Sequence, residues 1–227
     1  MAFDTTQLPG APDDRAWSFV ESYSRESEFA RAARERAGEV GADVVSPATG
    51  SALRMLARLM PAKNIIEIGS GTGGAALWLL EGAGEEGHLT SIDADGEHHR
   101  IARDLFTEAG IPAARSRLIT GRPAEVLPRM ADAAYDIALI NTSTNDLTPL
   151  LDQAVRLLRI GGAVILLNAF GGGRVGDPAQ RDTATVTRRL LVQRMGNDRR
   201  LTASLLPVGD GILVAVVNSH EFEKTED

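Results

Sequence analysis

EIGSGTGG, residues 67–74, is the stretch on which the reading of the fold turns. It follows KNIIEI, a short β-branched run that reads as a strand, and precedes AALWLLEG, an apolar run that reads as a helix. Glycines packed between a strand and its helix let backbone approach a ligand where no Cβ intrudes. Gly69, Gly71 and Gly74 satisfy the dinucleotide fingerprint, and Asp93 lies 20 residues after Gly73 at the end of the next strand, LTSID. A carboxylate in that place can hold ribose hydroxyls.

Glu67 narrows the ligand. It stands two residues before the first glycine, where a carboxylate would face the pyrophosphate of NAD at short range in a partly dry pocket. S-adenosylmethionine (SAM) carries an ammonium and a sulfonium and no phosphate, so a carboxylate attracts it. The competing structural role for Glu67 is an ion pair with a nearby Arg or Lys.

Upstream, residues 14–40 fit one or two helices, with Trp17, Val20, Tyr23 and Phe29 apolar among many charges. After the break at Ser46-Pro47, SALRMLARLM places Leu53, Leu56 and Met60 on one helical face, so two helices are expected before the first strand. Beyond the glycines the pattern alternates. EHHRIARDLFTEAG reads as a helix closed by Gly110, SRLIT as a strand, PAEVLPRM as a short helix and YDIALI as a strand. LTPLLDQAVRLLRIGG reads as a helix with a glycine stop and GAVILLN as a strand. Such alternation predicts a parallel sheet covered on both faces. LTASLLPV and GILVAVV, separated only by a Gly-Asp-Gly turn, predict a closing hairpin and an antiparallel last strand. The expected organisation is an arm and helical extension over 1–45, a nucleotide-binding domain over 46–218 and an acidic tail over 219–227.

Composition excludes several classes. The 227 residues carry a formal charge of -7, which disfavours nucleic acid and anionic lipid as partners. The densest basic stretch, Arg188 to Arg200, has helical spacing and reads as a solvated helix face. Cysteine is absent, so disulfides, thiolate nucleophiles and Cys-containing zinc patterns are excluded. The N-terminus has no signal-peptide pattern, and no apolar run approaches membrane-spanning length, so a soluble cytoplasmic protein is expected.

EIGSGTGGAALWLL, LTSIDAD, ITGRPAEVLP, YDIALINTST, LLRIGGAVILLN and LLPVGDGILVAVV, in this order, resemble the class I SAM-dependent O-methyltransferases of the catechol and caffeoyl-CoA type. The resemblance covers about Val45 to Val217. It implies a Rossmann-like fold with a seven-stranded, mostly parallel sheet, helices on both faces, and frequently a homodimer. It implies SAM as cofactor and S-adenosylhomocysteine as its product. By position it makes Gly69, Ser70, Gly71 and Gly73 the methionine-side loop under Glu67, and Asp93 with Ala94 the ribose side. Arg122, Pro123 and Ala124 become neighbours of the adenine.

The sequence departs from that family where chemistry is expected. The fourth strand of the family ends in an aspartate followed three residues later by a lysine, and the fifth ends in Asp-Asn. Here those positions are Asn141, Thr144, Leu167 and Asn168. The family's two aspartates and asparagine bind a Mg²⁺-like ion, and its lysine helps remove a proton; only the asparagine remains. Hard cations want anionic oxygen ligands, so no metal site is expected. Asn141, Thr144 and Asn168 are the candidate residues of the methyl-transfer pocket, Asn141 also lining the cofactor; its competing role is a helix cap within a Thr/Ser/Asn/Asp turn. His88, His98, His99 and His220 read as surface residues, and Asp177 before Pro178 as a turn residue. Gly171 to Gly173 would widen the acceptor side. The expected activity is metal-independent O-methylation of a small, phenol-like acceptor. A catalytically silent SAM or S-adenosylhomocysteine binder is the second reading, and an NAD-dependent oxidoreductase, disfavoured by Glu67 and the hairpin, the third.

Overall fold

The computed structural model describes residues 13–142 and 147–220. Strands β1 (Asn64–Ile68), β2 (His88–Asp93), β3 (Ser116–Thr120), β4 (Tyr135–Ile140), β5 (Leu158–Leu166), β6 (Leu201–Leu206) and β7 (Ile212–Val217) form one seven-stranded sheet in the order β3-β2-β1-β4-β5-β7-β6. β7 is antiparallel to both of its neighbours, and the other pairings are parallel. The helices are α1 (Asp14–Tyr23), α2 (Glu28–Val40), α3 (Pro47–Leu59), α4 (Gly74–Ala83), α5 (Gly96–Glu108), α6 (Pro123–Val126), α7 (Leu147–Leu157) and α8 (Thr183–Asn197).

The central strands are buried on both faces, so successive side chains feed opposite layers. On β1, Ile65 packs with Trp78 and Leu79 of α4 and Leu105 of α5. Ile66 and Ile68 pack on the other side with Leu151 and Val155 of α7 and Leu191 of α8. This alternation assigns residue 67 to the same layer as Ile65.

Two local readings change. Three helices, not two, precede β1: the chain breaks at Ser24 to Ser27, where the Ser27 side chain accepts from the Ala30 amide and starts α2 afresh. Ala30 and Ala33 of α2 are buried in the same core cluster as Trp78 of α4 and Phe106 of α5. The second change is at RIGG. α7 ends at Leu157 and β5 begins at Leu158, so the glycines belong to the strand. The β4–β5 register shifts beside them, Gly161 adopts φ +81°, and a Cβ on Gly162 would lie 3.0 Å from the Asp136 carbonyl. They serve an irregular strand entry rather than a helix stop.

Candidate functional site

A cleft of about 350 Å³ opens at the carboxyl ends of β1, β2 and β4, where the strand order reverses between β1 and β4. Ligands of open α/β sheets bind at such a switch point. Gly69, Gly71 and Gly73 all take positive φ, which lets the loop fold flat over the strand ends. Gly69 has no alternative: a Cβ there would strike the backbone carbonyl of Asn141. The Gly69 amide donates to the Ile92 carbonyl at 2.8 Å and the Asn141 amide to the Ile68 carbonyl at 2.9 Å, tying the three strand ends together.

Asp93 stands opposite the loop, fixed by its neighbours. It accepts from the Gly71 amide at 3.1 Å and the Asp95 amide at 2.9 Å, and His98 Nδ1 lies 3.4 Å away. Of the residues expected from sequence, the cleft brings together Gly69, Gly71, Asp93, Ala94, Arg122, Pro123, Ala124 and Asn141. It also gathers Gly41, Ala42 and Asp43 from the turn after α2, with Ile92, His98, Thr142 and Leu150.

Glu67, Ser70 and Gly73 are not among the lining residues. Glu67 has no exposed surface; it follows Ile65 into the α4/α5 layer because a strand alternates its side chains. Burial pushes its carboxyl up to about 8, only partly opposed by the hydrogen bond from Ser91, so at neutral pH it is mostly protonated. The expectation that Glu67 stands as a carboxylate at the mouth of the site and draws in a cation is therefore corrected. Its Oε1 has no partner among the described residues, while Oε2 accepts from Ser91 Oγ at 2.5 Å. Ser91 Oγ meets Ser70 Oγ, which lies 2.9 Å from His99 Nε2, and His99 Nδ1 lies 3.0 Å from Thr120 Oγ1. Ser70 is thus the middle of a buried chain beneath the loop. Gly73 precedes α4, and a Cβ there would lie 3.0–3.2 Å from Phe106 and Ala102 of α5.

The histidine reading is corrected with it. His99 is 1% exposed, and its burial lowers its basicity. The signal was in the sequence: His99, Ala102 and Phe106 follow i, i+3, i+7 spacing on one face of α5.

Two further spaces adjoin the cleft on the side where the sequence leads one to expect the acceptor. Asn141 lines both the cleft and a smaller cavity of about 90 Å³ shared with Leu167, Asn168, Gly209 and Asp210. Its amide Oδ1 is buried without a hydrogen-bond partner among the described residues. Asn168, at φ +54°, opens from that cavity into a groove of about 470 Å³ bounded by Asp43, Gly171, Gly172 and Arg188. Thr144 lies outside the described residues. Asp177 is a turn residue as expected, accepting from the Ala179 amide at 2.9 Å.

The reading of Arg188 to Arg200 as a solvated face fails at its first residues. Arg188 reaches inward to the carbonyls of Leu167 and Asn168, and Arg189 clips the loop before α8 through the carbonyls of Arg174, Val175, Asp177 and Gln180. Arg188 shares a stripe with the buried Leu191 and Met195, again i, i+3, i+7.

A family model described as O-methyltransferase matches residues 24–217. The chain belongs to the O-methyltransferase family. A Mycobacterium tuberculosis chain bearing the name "probable O-methyltransferase" is 43% identical over 213 residues, covering 92% of this chain and 95% of that one. A Corynebacterium glutamicum protein of known structure is 31% identical with TM-score 0.82, covering 90% of this chain and 96% of that one. The O-methyltransferase TomG of Streptomyces achromogenes, solved with SAM and involved in tomaymycin synthesis, is 25% identical with TM-score 0.80, covering 92% and 100%. This O-methyltransferase is a SAM-dependent enzyme with a Rossmann-like seven-stranded sheet.

Proposed function

We propose that the protein transfers the SAM methyl group to an oxygen of a small, phenol-like acceptor without a divalent metal. The observation that carries this is the unpartnered amide oxygen of Asn141 at the junction of the cleft and the acceptor cavity. A buried acceptor with nothing to accept costs about 1–3 kcal/mol, so a donor that reaches this oxygen when the cleft fills would be favoured. Opposite, Asp93 would hold the ribose hydroxyls, with Ala94 beside it. Gly69 and Gly71 leave room for the methionine portion, while Arg122, Pro123 and Ala124 would border the adenine over the apolar floor of Ile92 and Leu150. Glu67, Ser70 and Gly73 shape the loop from beneath.

When bound, SAM supplies a methyl carbon on a sulfonium leaving group. The protein then has to align the acceptor oxygen with that carbon and exclude water, and alignment alone supplies several kcal/mol. Asn141 and Asn168 flank the place where the acceptor would enter. The donors at the strand ends, two neutral amides beside Leu167, suit a hard cation poorly. Among the described residues no group of three or more His, Asp or Glu side chains could hold a metal. We infer also a homodimer in the cytoplasm, and a boundary near residue 46 between the N-terminal extension and the SAM-binding domain. No helix among the described residues is long and apolar enough to cross a membrane.

Incubation with methyl-labelled SAM and a panel of phenols tests the proposal. Label should appear on an acceptor oxygen at a rate unchanged by EDTA. Activity abolished by EDTA and restored by Mg²⁺ would overturn the metal-free reading. SAM binding without transfer to any phenol would favour a silent binder.

A further inference from the structure

Arg188 is a cation lining the groove beside Asn168, and among the described residues no carboxylate is hydrogen-bonded to it. Its Nη1 donates to the carbonyls of Leu167 at 3.0 Å and Asn168 at 2.9 Å, and Nη2 to that of Thr142 at 3.4 Å. These carbonyls follow the ends of β5 and β4. A guanidinium has five N–H donors. Three bonds leave Nε–H and one hydrogen of Nη2 with no acceptor among the described residues.

Other arginines near the end of α8 are satisfied differently. Arg194 pairs with Asp152 at 2.5 Å and Arg200 with Asp198 at 2.6 Å, while Arg189 is spent on loop carbonyls. Arg188 feels Asp43 and Asp210 only through space, and burial works against its charge. A half-buried cation anchored by carbonyl dipoles, with donors left over, is arranged to meet an oxyanion. It lines the groove with Asn168, Gly171 and Thr185, and Asp43 lines both that groove and the cleft, so the two spaces are neighbours.

We propose that Arg188 selects a methyl acceptor bearing a carboxylate, which it binds through the donors left free while the acceptor hydroxyl extends toward Asn141. This rests on the methyl-transfer reading above. A monoanion is favoured over a phosphate because Asp43 and Asp210 border the same groove and would repel a second negative charge.

The test is calorimetric titration of the full chain, saturated with S-adenosylhomocysteine, with 4-hydroxybenzoate and 4-hydroxybenzamide and with benzoate and benzamide. Wild type should bind the carboxylate of each pair at least about ten-fold tighter than the amide. Arg188→Met should bring the ratio close to one, and Arg188→Lys should keep part of it. S-adenosylhomocysteine affinity should stay within about two-fold of wild type in both variants, which also reports that they fold. Absence of a carboxylate preference in wild type, or its survival in Arg188→Met, overturns the proposal. Wild type that does not bind S-adenosylhomocysteine defeats the methyl-transfer reading and this inference together.

Discussion

The buried carboxyl of Glu67 illustrates how a residue's chemistry follows from the parity of its strand. Position 67 shares a layer with Ile65, so the side chain is dry, and the environment favours its neutral form. Its pKa rises from an ordinary 4.5 to about 8. Below the lower value both folded and unfolded chains hold the proton; between the two only the folded chain does, so unfolding releases it. Stability therefore falls as pH rises through this window, by up to ~1.4 kcal/mol per pH unit, and levels off above it. Glu67→Gln should remove that slope. Urea midpoints at pH 5, 6, 7 and 8 would show the variant gaining on wild type as pH rises, whereas parallel curves would contradict the assignment. The parity of β1 was legible in KNIIEIG, as were the helical stripes of His99 and Arg188; in each case a polar residue on an apolar face was read by its type rather than its position. Asn141 was legible as a neutral group at a strand end. Its unpartnered oxygen was not, because partners come from elements distant in sequence.

Packing between α3 and α4 depends on two glycines. A Cβ on Gly50 would run into the Trp78 indole, and one on Gly82 into the Arg54 carbonyl. Trp78 is 1% exposed, with the Arg54 guanidinium 4.8 Å from its ring centre, so it has no free space to yield. Gly50→Ala should cost about 1–3 kcal/mol through overpacking. Gly38 in α2 has nothing within 4 Å of where its Cβ would stand. Gly38→Ala should stabilise by about 0.5–1 kcal/mol, since alanine is the better helix former. Equilibrium denaturation of the two variants should give opposite signs; a neutral Gly50→Ala would show that the helices can separate cheaply. Element types were readable from periodicity and the hairpin from its Gly-Asp-Gly turn. The boundaries that moved, at Ser24 to Ser27 and at RIGG, are places where a cap or a strand irregularity overrides the local pattern.

At the scale of the molecule, the order of strand ends creates the site. Gly69, Asp93 and Asn141 are far apart in the chain, yet parallel pairing of β1 with β2 and β4 delivers all three to one edge of the sheet. The glycine loop, the distant aspartate and the terminal hairpin made this topology readable. The contribution of the turn after α2 was not, because Gly41 to Asp43 reach the cleft only once α2 has packed on α4. We infer that this cleft, with Asp93 as its anchor for a nucleoside, holds the methyl donor. Calorimetric titration of wild type and Asp93→Ala with S-adenosylhomocysteine is the test. One molecule should bind per wild-type chain, and the variant should lose about ten-fold or more in affinity, the consequence of removing hydrogen bonds to a charged group; equal affinity in the two proteins would contradict it.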